Sequence, residues 1–182
     1  MKEYAGTLWG FQDKAIAEIL FNPNVAISTT DGSPIELASS GKVEGKRYKF
    51  KNVGCSNKWS ICDTPVGLFF NDDINKNLMV LQDSPVNISD KFGMSTWAKN
   101  NLTNRFDWDN EEWNNMTVQY DKKNKDVLYI TSEQCLAYST LLGTFTSFYS
   151  YENTPYFANI GDYTLALKRA VLGGYDYTYL WA

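Results

Sequence analysis

No histidine occurs in the 182-residue chain. That removes the commonest general base, the commonest metal ligand and every His-based triad. Cysteine is scarce: Cys55, Cys62 and Cys135 make an odd number, a poor disulfide framework. Cys55 and Cys62 have neither a second Cys pair nor a His to complete a four-ligand zinc site. Cys135 lies in the apolar run Cys135-Leu136-Ala137 and reads as a small core residue. A reactive thiolate would need a base or a cation beside it. No apolar run approaches the ~20 residues of a membrane-spanning helix, and no basic-then-apolar leader is read at the start. Cations are not in surplus either. Lys and Arg total 17 against 21 for Asp and Glu, a net charge of -4, which argues against a nucleic-acid-binding surface. No Gly-rich phosphate loop, P-loop or GxSxG motif is present.

What is present is apolar and aromatic. Hydrophobic residues make up 43% and charged residues 21%, enough to bury a core and too little charge for a disordered tail. The length fits one domain, or part of a larger one. Short apolar runs recur, closed by Asn, Asp, Gly and Ser: residues 66–70, 78–81, 85–88, 127–131, 135–138 and 145–149. Runs of this length, rich in aromatic and β-branched residues, read as strands. Nearer the start, residues 8–11, 15–21, 25–30 and 35–37 read the same way, with Asp31-Gly32 as a hairpin signal. Residues 14–21 also fit helical spacing through Ile16, Ile19 and Leu20, but Asn22-Pro23 ends the run abruptly, and strand is the reading adopted.

The runs fall into four groups. The second and third share an order of strands: residues 59–62, 66–70, 78–81 and 85–88 parallel 117–120, 126–130, 136–138 and 145–149. Four-stranded units repeated in this way predict an all-β, β-propeller-like array of three to four blades, incomplete as given. The blades are placed at residues 7–40, 47–89, 115–150 and 155–182 of a single domain, 1–182, with a short helical insertion at 90–114. The middle strands support this. A strand covered on both faces loses alternation and becomes continuously apolar, as residues 66–70 do. The outermost strand of a blade is expected to alternate more, as residues 144–149 partly do. A β-sandwich would also give short meandering strands. The insertion is Asn-rich and carries Trp97, Trp108 and Trp113, with Ser95 placed to cap a helix through Asn101. It is expected to present a contact face, or to close local packing with its tryptophans.

Candidate chemistry is sparse. Acidic residues cluster at Asp107, Asp109, Glu111 and Glu112, and at Asp72 and Asp73. Paired carboxylates could serve a glycosidase or a calcium site, but such clusters in polar loops are expected to be solvated surface. Three Asn-x-Ser/Thr patterns, at Asn87, Asn101 and Asn115, carry little weight without a secretory signal. Gly143 and Gly173-Gly174 read as turn glycines. Tyrosines crowd the last part, including Tyr149, Tyr151 and Tyr156. They suit interfaces and sugar platforms, or cross-strand pairing within a sheet.

Four stretches carry a resemblance. They are Leu8 to Leu20 (LWGFQDKAIAEIL), Cys55 to Ile61 (CSNKWSI), Val66 to Phe70 (VGLFF) and Gln134 to Phe148 (QCLAYSTLLGTFTSF). In them the chain resembles the large tail proteins of crAss-like bacteriophages, the tail stabilization and muzzle proteins. The likeness runs up to about Tyr163, while residues 167–175 fit it poorly. It implies a non-enzymatic virion structural protein located in the phage tail. Its partners would be other tail proteins in an oligomeric assembly, with no cofactor, no metal, no nucleic acid and no membrane. Those relatives are far longer, so the chain reads as an excerpt whose end blades lack covering neighbours. Interaction candidates are Trp97, Trp108, Trp113, Tyr149, Tyr151 and Tyr156. The alternatives are a carbohydrate-binding, lectin-like propeller, which allows a glycan contact, and a propeller glycosidase.

Overall fold

The computed structural model describes residues 1–21, 25–28, 34–37, 43–102, 106–107, 112–113, 116–131, 134–149, 156–161, 163–172 and 175–181. Of residues 25–28, 34–37, 106–107, 112–113, 156–160 and, Leu165 aside, 163–181, only the backbone is described. The chain is mostly β. Its first part holds β1 (Lys2–Tyr4), β2 (Thr7–Gln12), β3 (Ala15–Phe21), β4 (Val25–Ser28), β5 (Pro34–Leu37) and β6 (Val43–Lys51). A 3-10 turn at Lys58–Ser60 leads into β7 (Ile61–Thr64), β8 (Gly67–Asp72), β9 (Asn77–Leu81) and β10 (Pro85–Asn87). Two short helices follow, α1 (Ile88–Lys91) and α2 (Ser95–Asn101), then the two-residue strands β11 (Phe106–Asp107) and β12 (Glu112–Trp113). The last part holds β13 (Thr117–Asp121), β14 (Asp126–Ile130), β15 (Cys135–Ser139), β16 (Thr144–Tyr149), β17 (Tyr156–Ile160), β18 (Tyr163–Leu172) and β19 (Tyr175–Trp181).

Three four-stranded antiparallel sheets result among the described residues: β1-β2-β3-β6, β7-β8-β9-β10 and β13-β14-β15-β16. A three-stranded sheet, β17-β18-β19, follows them. The strands expected in the second and third groups pair as the sequence pattern implies. The first group differs. Its hairpin strands β4 and β5 pair only with each other, and the fourth strand of the first sheet is β6, which pairs with β3 from Ala15↔Lys51 to Phe21↔Val43. β1 supplies the other edge. Residues 15–21 are strand, not helix.

The sheets are joined through their faces. In the second sheet, Leu68, Phe70, Met79 and Leu81 face the first sheet and form one core with Ile16, Trp9, Phe11 and Phe50. The interleaved Phe69, Leu78 and Val80 face the third sheet, in a core with Val118, Tyr120, Val127, Tyr129, Leu136 and Tyr138. Side chains alternate across a strand, so burial on both faces makes every residue of β8 buried. The third sheet repeats the arrangement: Leu128, Ile130, Cys135 and Ala137 form a separate buried cluster on its far face. The strand begins one residue later than the apolar run. Val66 lies in the turn and is 39% exposed. Gly67, which opens the strand, passes so close to Val80 and Leu81 that a Cβ there would lie 2.7 Å from Val80 Cγ2.

First strands neighbour first strands. β1 contacts β7, β7 contacts β13, and β13 contacts β17 and β18. Lys2 Nζ reaches Asp63 Oδ1 at 3.0 Å between the first two. The linker from Asn52 to Asn57 sews three sheets together. Asn52 N donates to Lys14 O (2.8 Å) and Cys55 N to Gln12 O (2.9 Å) in the first sheet's turn. Asn75 Nδ2 donates to Asn52 O (2.8 Å) from the second sheet, and Asn57 Nδ2 donates to Met116 O (3.1 Å) at the entry to the third. Gly54 is required here, since its Cβ position lies 1.9 Å from Gln12 O.

The helical insertion opens earlier than expected. β10 stops at Asn87, whose Oδ1 accepts from Asp90 N (3.0 Å) and starts α1 as a side-chain cap. Ser95 does not cap α2. It is the first helical residue, Met94 occupies the cap position without a side-chain bond, and Ser95 Oγ donates instead to Asp90 Oδ1 at 3.2 Å. Ile88, Ala98 and Leu102 bury against the core between the second and third sheets.

Candidate interaction surfaces

The residues singled out in the sequence scatter. Trp97 packs with Phe92 and Met94 on the core between the second and third sheets. Its Nε1 donates to Gln134 Oε1 at 2.8 Å, and its ring lies 6.2 Å from that of Phe148, which is 56% exposed. Trp97 therefore closes local packing and still borders an exposed aromatic. Tyr149 packs against the far face of the third sheet, and its hydroxyl donates to Asp126 Oδ2 at 2.9 Å. Trp113 pairs with Phe106 across β11 and β12, and Tyr156 pairs with Leu167; their side chains lie outside the described residues. Trp108 and Tyr151 lie outside them altogether, as do Asp109, Glu111 and Gly173-Gly174.

The acidic pair at Asp72 and Asp73 is not solvated, contrary to expectation. The two residues are 1% and 4% exposed. Asp72 Oδ1 accepts from Asn75 N (3.1 Å) and its Oδ2 from Asn75 Nδ2 (2.7 Å), which folds the β8–β9 turn around the carboxylate. Asp73 Oδ2 accepts from Ser56 N (3.1 Å) and Ser56 Oγ (2.7 Å). Burial raises the Asp73 pKa, and the Ser56 bonds offset only part of that rise. The β13–β14 turn is built the same way. Asp121 Oδ2 accepts from Asn124 Nδ2 at 2.7 Å, as Asp72 does from Asn75. Lys125 and Lys76 close the two turns with positive φ, 62° and 58°. The shared Asp-x-x-Asn-Lys spacing (Asp72 to Lys76, Asp121 to Lys125) was the readable signal for both turns.

The thiols are inert by placement. Cys55, Cys62 and Cys135 are all buried and free, and burial pushes each pKa up to about 12. Among the described residues no group of three or more His, Cys, Asp or Glu could hold a metal ion. No helix among them is long and apolar enough to cross a membrane. Glu18 is held below the ordinary carboxylate range, chiefly by the hydrogen bond from Arg47 (2.6 Å), on the first sheet. At Asp63, burial pushes upward, but the Lys2 hydrogen bond and charge outweigh it and lower the pKa.

Two further surface features stand out. At the β15–β16 tip, Leu141 and Leu142 are 77% and 72% exposed. The turn beneath them is held by Gly143 N donating to Ser139 O (2.8 Å) and Thr140 N donating to Lys125 O (2.9 Å), with Gly143 at φ 66°. Gly143, read from the sequence as a turn glycine, thus sits in this hairpin tip. The second feature is a cleft of about 570 Å³ where the β1–β2 turn meets the β7–β8 and β9–β10 turns, lined by Tyr4, Thr7, Trp9, Val66, Gln82 and Asp83.

Comparison with known proteins places the chain. The sequence profile described as Crassvirus muzzle protein matches residues 1–170. The muzzle protein of Bacteroides phage crAss001 is 39% identical over 168 residues, which cover 92% of this chain and 12% of that relative. The chain thus spans about an eighth of the length of the curated relative it matches. On the extent of the profile match, the chain belongs to the Crassvirus muzzle protein family.

Proposed function

We propose that the chain is a non-enzymatic structural component of the phage virion, located in the tail and acting through protein–protein contacts in an oligomeric assembly. Its sheets are blades of a β-propeller-like array. The carrying observation is the 39% identity to a phage muzzle protein along 92% of the chain. The stacking supports the architecture: successive meanders packed face to face, with first strands adjacent to first strands. On this reading the first blade is β1, β2, β3 and β6, with β4 and β5 projecting from it. The second is β7 to β10, the third β13 to β16, and β17 to β19 belong to a fourth.

A stack of this kind suits a scaffold. Its thiols are buried, and the carboxylates of Asp72 and Asp73 are committed to a turn and to the linker. Contact would fall on exposed apolar groups, Leu141 and Leu142 at the hairpin tip and Phe148 beside Trp97. Trp108, Trp113, Tyr149, Tyr151 and Tyr156 remain candidates for the same role. Cross-linking mass spectrometry of purified virions tests this. Peptides of the chain, with cross-links from the exposed Lys122 or Lys123 to other tail proteins, are the expected result. Absence of the chain from purified particles would overturn the proposal.

A further inference from the structure

We propose that the outer edge of β16 binds a second copy of this chain, by antiparallel strand addition about a two-fold axis. Among the described residues, each four-stranded sheet ends on an outer strand paired on one side only: β6, β10 and β16. An unpaired edge is a template for another chain, and proteins blunt it with charge, proline, shortness or bulges. Two of the three edges carry those devices. β6 holds Lys46, Arg47, Lys49 and Lys51 and two breaks of register against β3. β10 is three residues long and opens on Pro85. β16 runs six residues, TFTSFY, with neither a charge nor a proline, and a single break of register against β15. Its residues are exposed or half-buried, and Phe148 is 56% exposed. Among the described residues, no backbone hydrogen bond runs from residues 144–148 to any element but β15.

The charge pattern selects the occupant. Residues 134–151 are the longest uncharged stretch of the chain, 18 residues where charged residues make up 21% overall. Two copies of net charge -4 repel one another, and this hairpin is where they meet without a like-charge contact. A partner strand rich in charge would find no counter-charge here. The strand is also self-complementary. Its break of register sets Phe145 opposite Tyr138 and Phe148 opposite Leu136. Tyr138 and Leu136 share the face toward the second sheet, so Phe145 and Phe148 share it too. Antiparallel pairing of two β16 strands then sets Phe148 of each copy against Phe145 of the other, and Thr146 against Ser147. Aromatic meets aromatic and hydroxyl meets hydroxyl, pairs that stabilise neighbouring strands. Six paired residues and these rings bury less than the ~1,200 Å² of a standard interface, so the dimer is weak, with a Kd on the order of 10–100 µM. This dimer specifies a partner for the contact role proposed above, and rests on that role only for its place in an assembly.

The test follows the mass of the intact 182-residue chain by light scattering, from about tenfold below to about tenfold above that Kd. The expected result is a shift from 20.8 kDa toward twice that mass, and no further. Thr146 is exposed, and Thr146→Lys sets a cation from each copy beside the axis. It should raise Kd by at least about tenfold and leave the circular dichroism of the monomer unchanged. Phe148→Lys gives the second reading if that variant does not fold. Hydrogen exchange locates the contact: amides of residues 144–148 should gain protection as concentration rises, and those of β6 and β10 should not. Four results would overturn the proposal: a monomer throughout, association beyond two copies, a dimer that both lysine variants leave intact, or concentration-dependent protection on a strand other than β16. Each outcome is independent of whether the chain is found in virions.

Discussion

Phe69 and Phe70 are neighbours in β8 and are 1% and 0% exposed. They point to opposite faces. Phe69 lies 5.3 Å from the ring of Tyr138 in the third sheet, and Phe70 lies 5.1 Å from the ring of Phe11 in the first. If β8 is covered on both sides, Phe69→Ala and Phe70→Ala each leave a cavity, and each should cost about 3–5 kcal/mol. For a chain of this length ~1 kcal/mol shifts Tm by about 2–4 °C, so each variant should melt on the order of 6–20 °C lower. That is a large share of the ~5–15 kcal/mol that holds a domain together. Phe69→Leu and Phe70→Leu extend the comparison if an alanine variant does not fold. Thermal and urea melts followed by circular dichroism give the single effects. Double-mutant cycles identify the faces: Phe69 should couple with Tyr138 and Phe70 with Phe11, by about 0.5–1.5 kcal/mol each. The crossed pairs should be additive. A sheet with one wetted face would tolerate one of the two alanines, and that result, or coupling between the crossed pairs, would refute the reasoning.

Further expectations concern the linker and the buried groups. Gly54→Ala forces a Cβ into Gln12 O, so it should destabilise by more than ~2 kcal/mol in urea melts, while Gly45→Ala, with nothing within 4 Å of its Cβ position, should be nearly neutral. Asp73 has a pKa raised by burial, so the folded state holds its proton to higher pH than the unfolded state. Its contribution to stability therefore falls as pH rises through the interval above the ordinary carboxylate range; Asp73→Asn should remove that slope, and an unchanged pH profile of urea melts would contradict it. The three thiols, with pKa values near 12, should resist iodoacetamide in the native chain and react on denaturation, as read by intact mass.

The second and third sheets were legible because double coverage writes itself into composition. A run such as Gly67-Leu68-Phe69-Phe70 has no polar alternative face, and a flanking Asp-x-x-Asn turn marks its end. β6 was not legible. Its sequence VEGKRYKFK is mostly exposed and charged, and its place is set by pairing with β3 and by Arg47 meeting Glu18 at 2.6 Å, across a hairpin of intervening chain. The burial of Asp72 and Asp73 was equally hidden, since it depends on Ser56 arriving from a distant linker. Asn87 did carry a readable signal, an N-cap before Asp90, obscured by the apolar Ile88 that prolongs the preceding strand pattern. The cleft is assembled from residues 4–9, 66 and 82–83, a set with no common spacing for sequence reasoning to find.

Aromatic NOE spectroscopy on the intact chain is the most direct trial of face-to-face stacking. Ring protons of Phe70 should show cross-peaks to Phe11, and those of Phe69 to Tyr138, as their 5.1 Å and 5.3 Å centroid separations require. If both phenylalanines report the same partner sheet, or neither reports one, the sheets are not stacked as described.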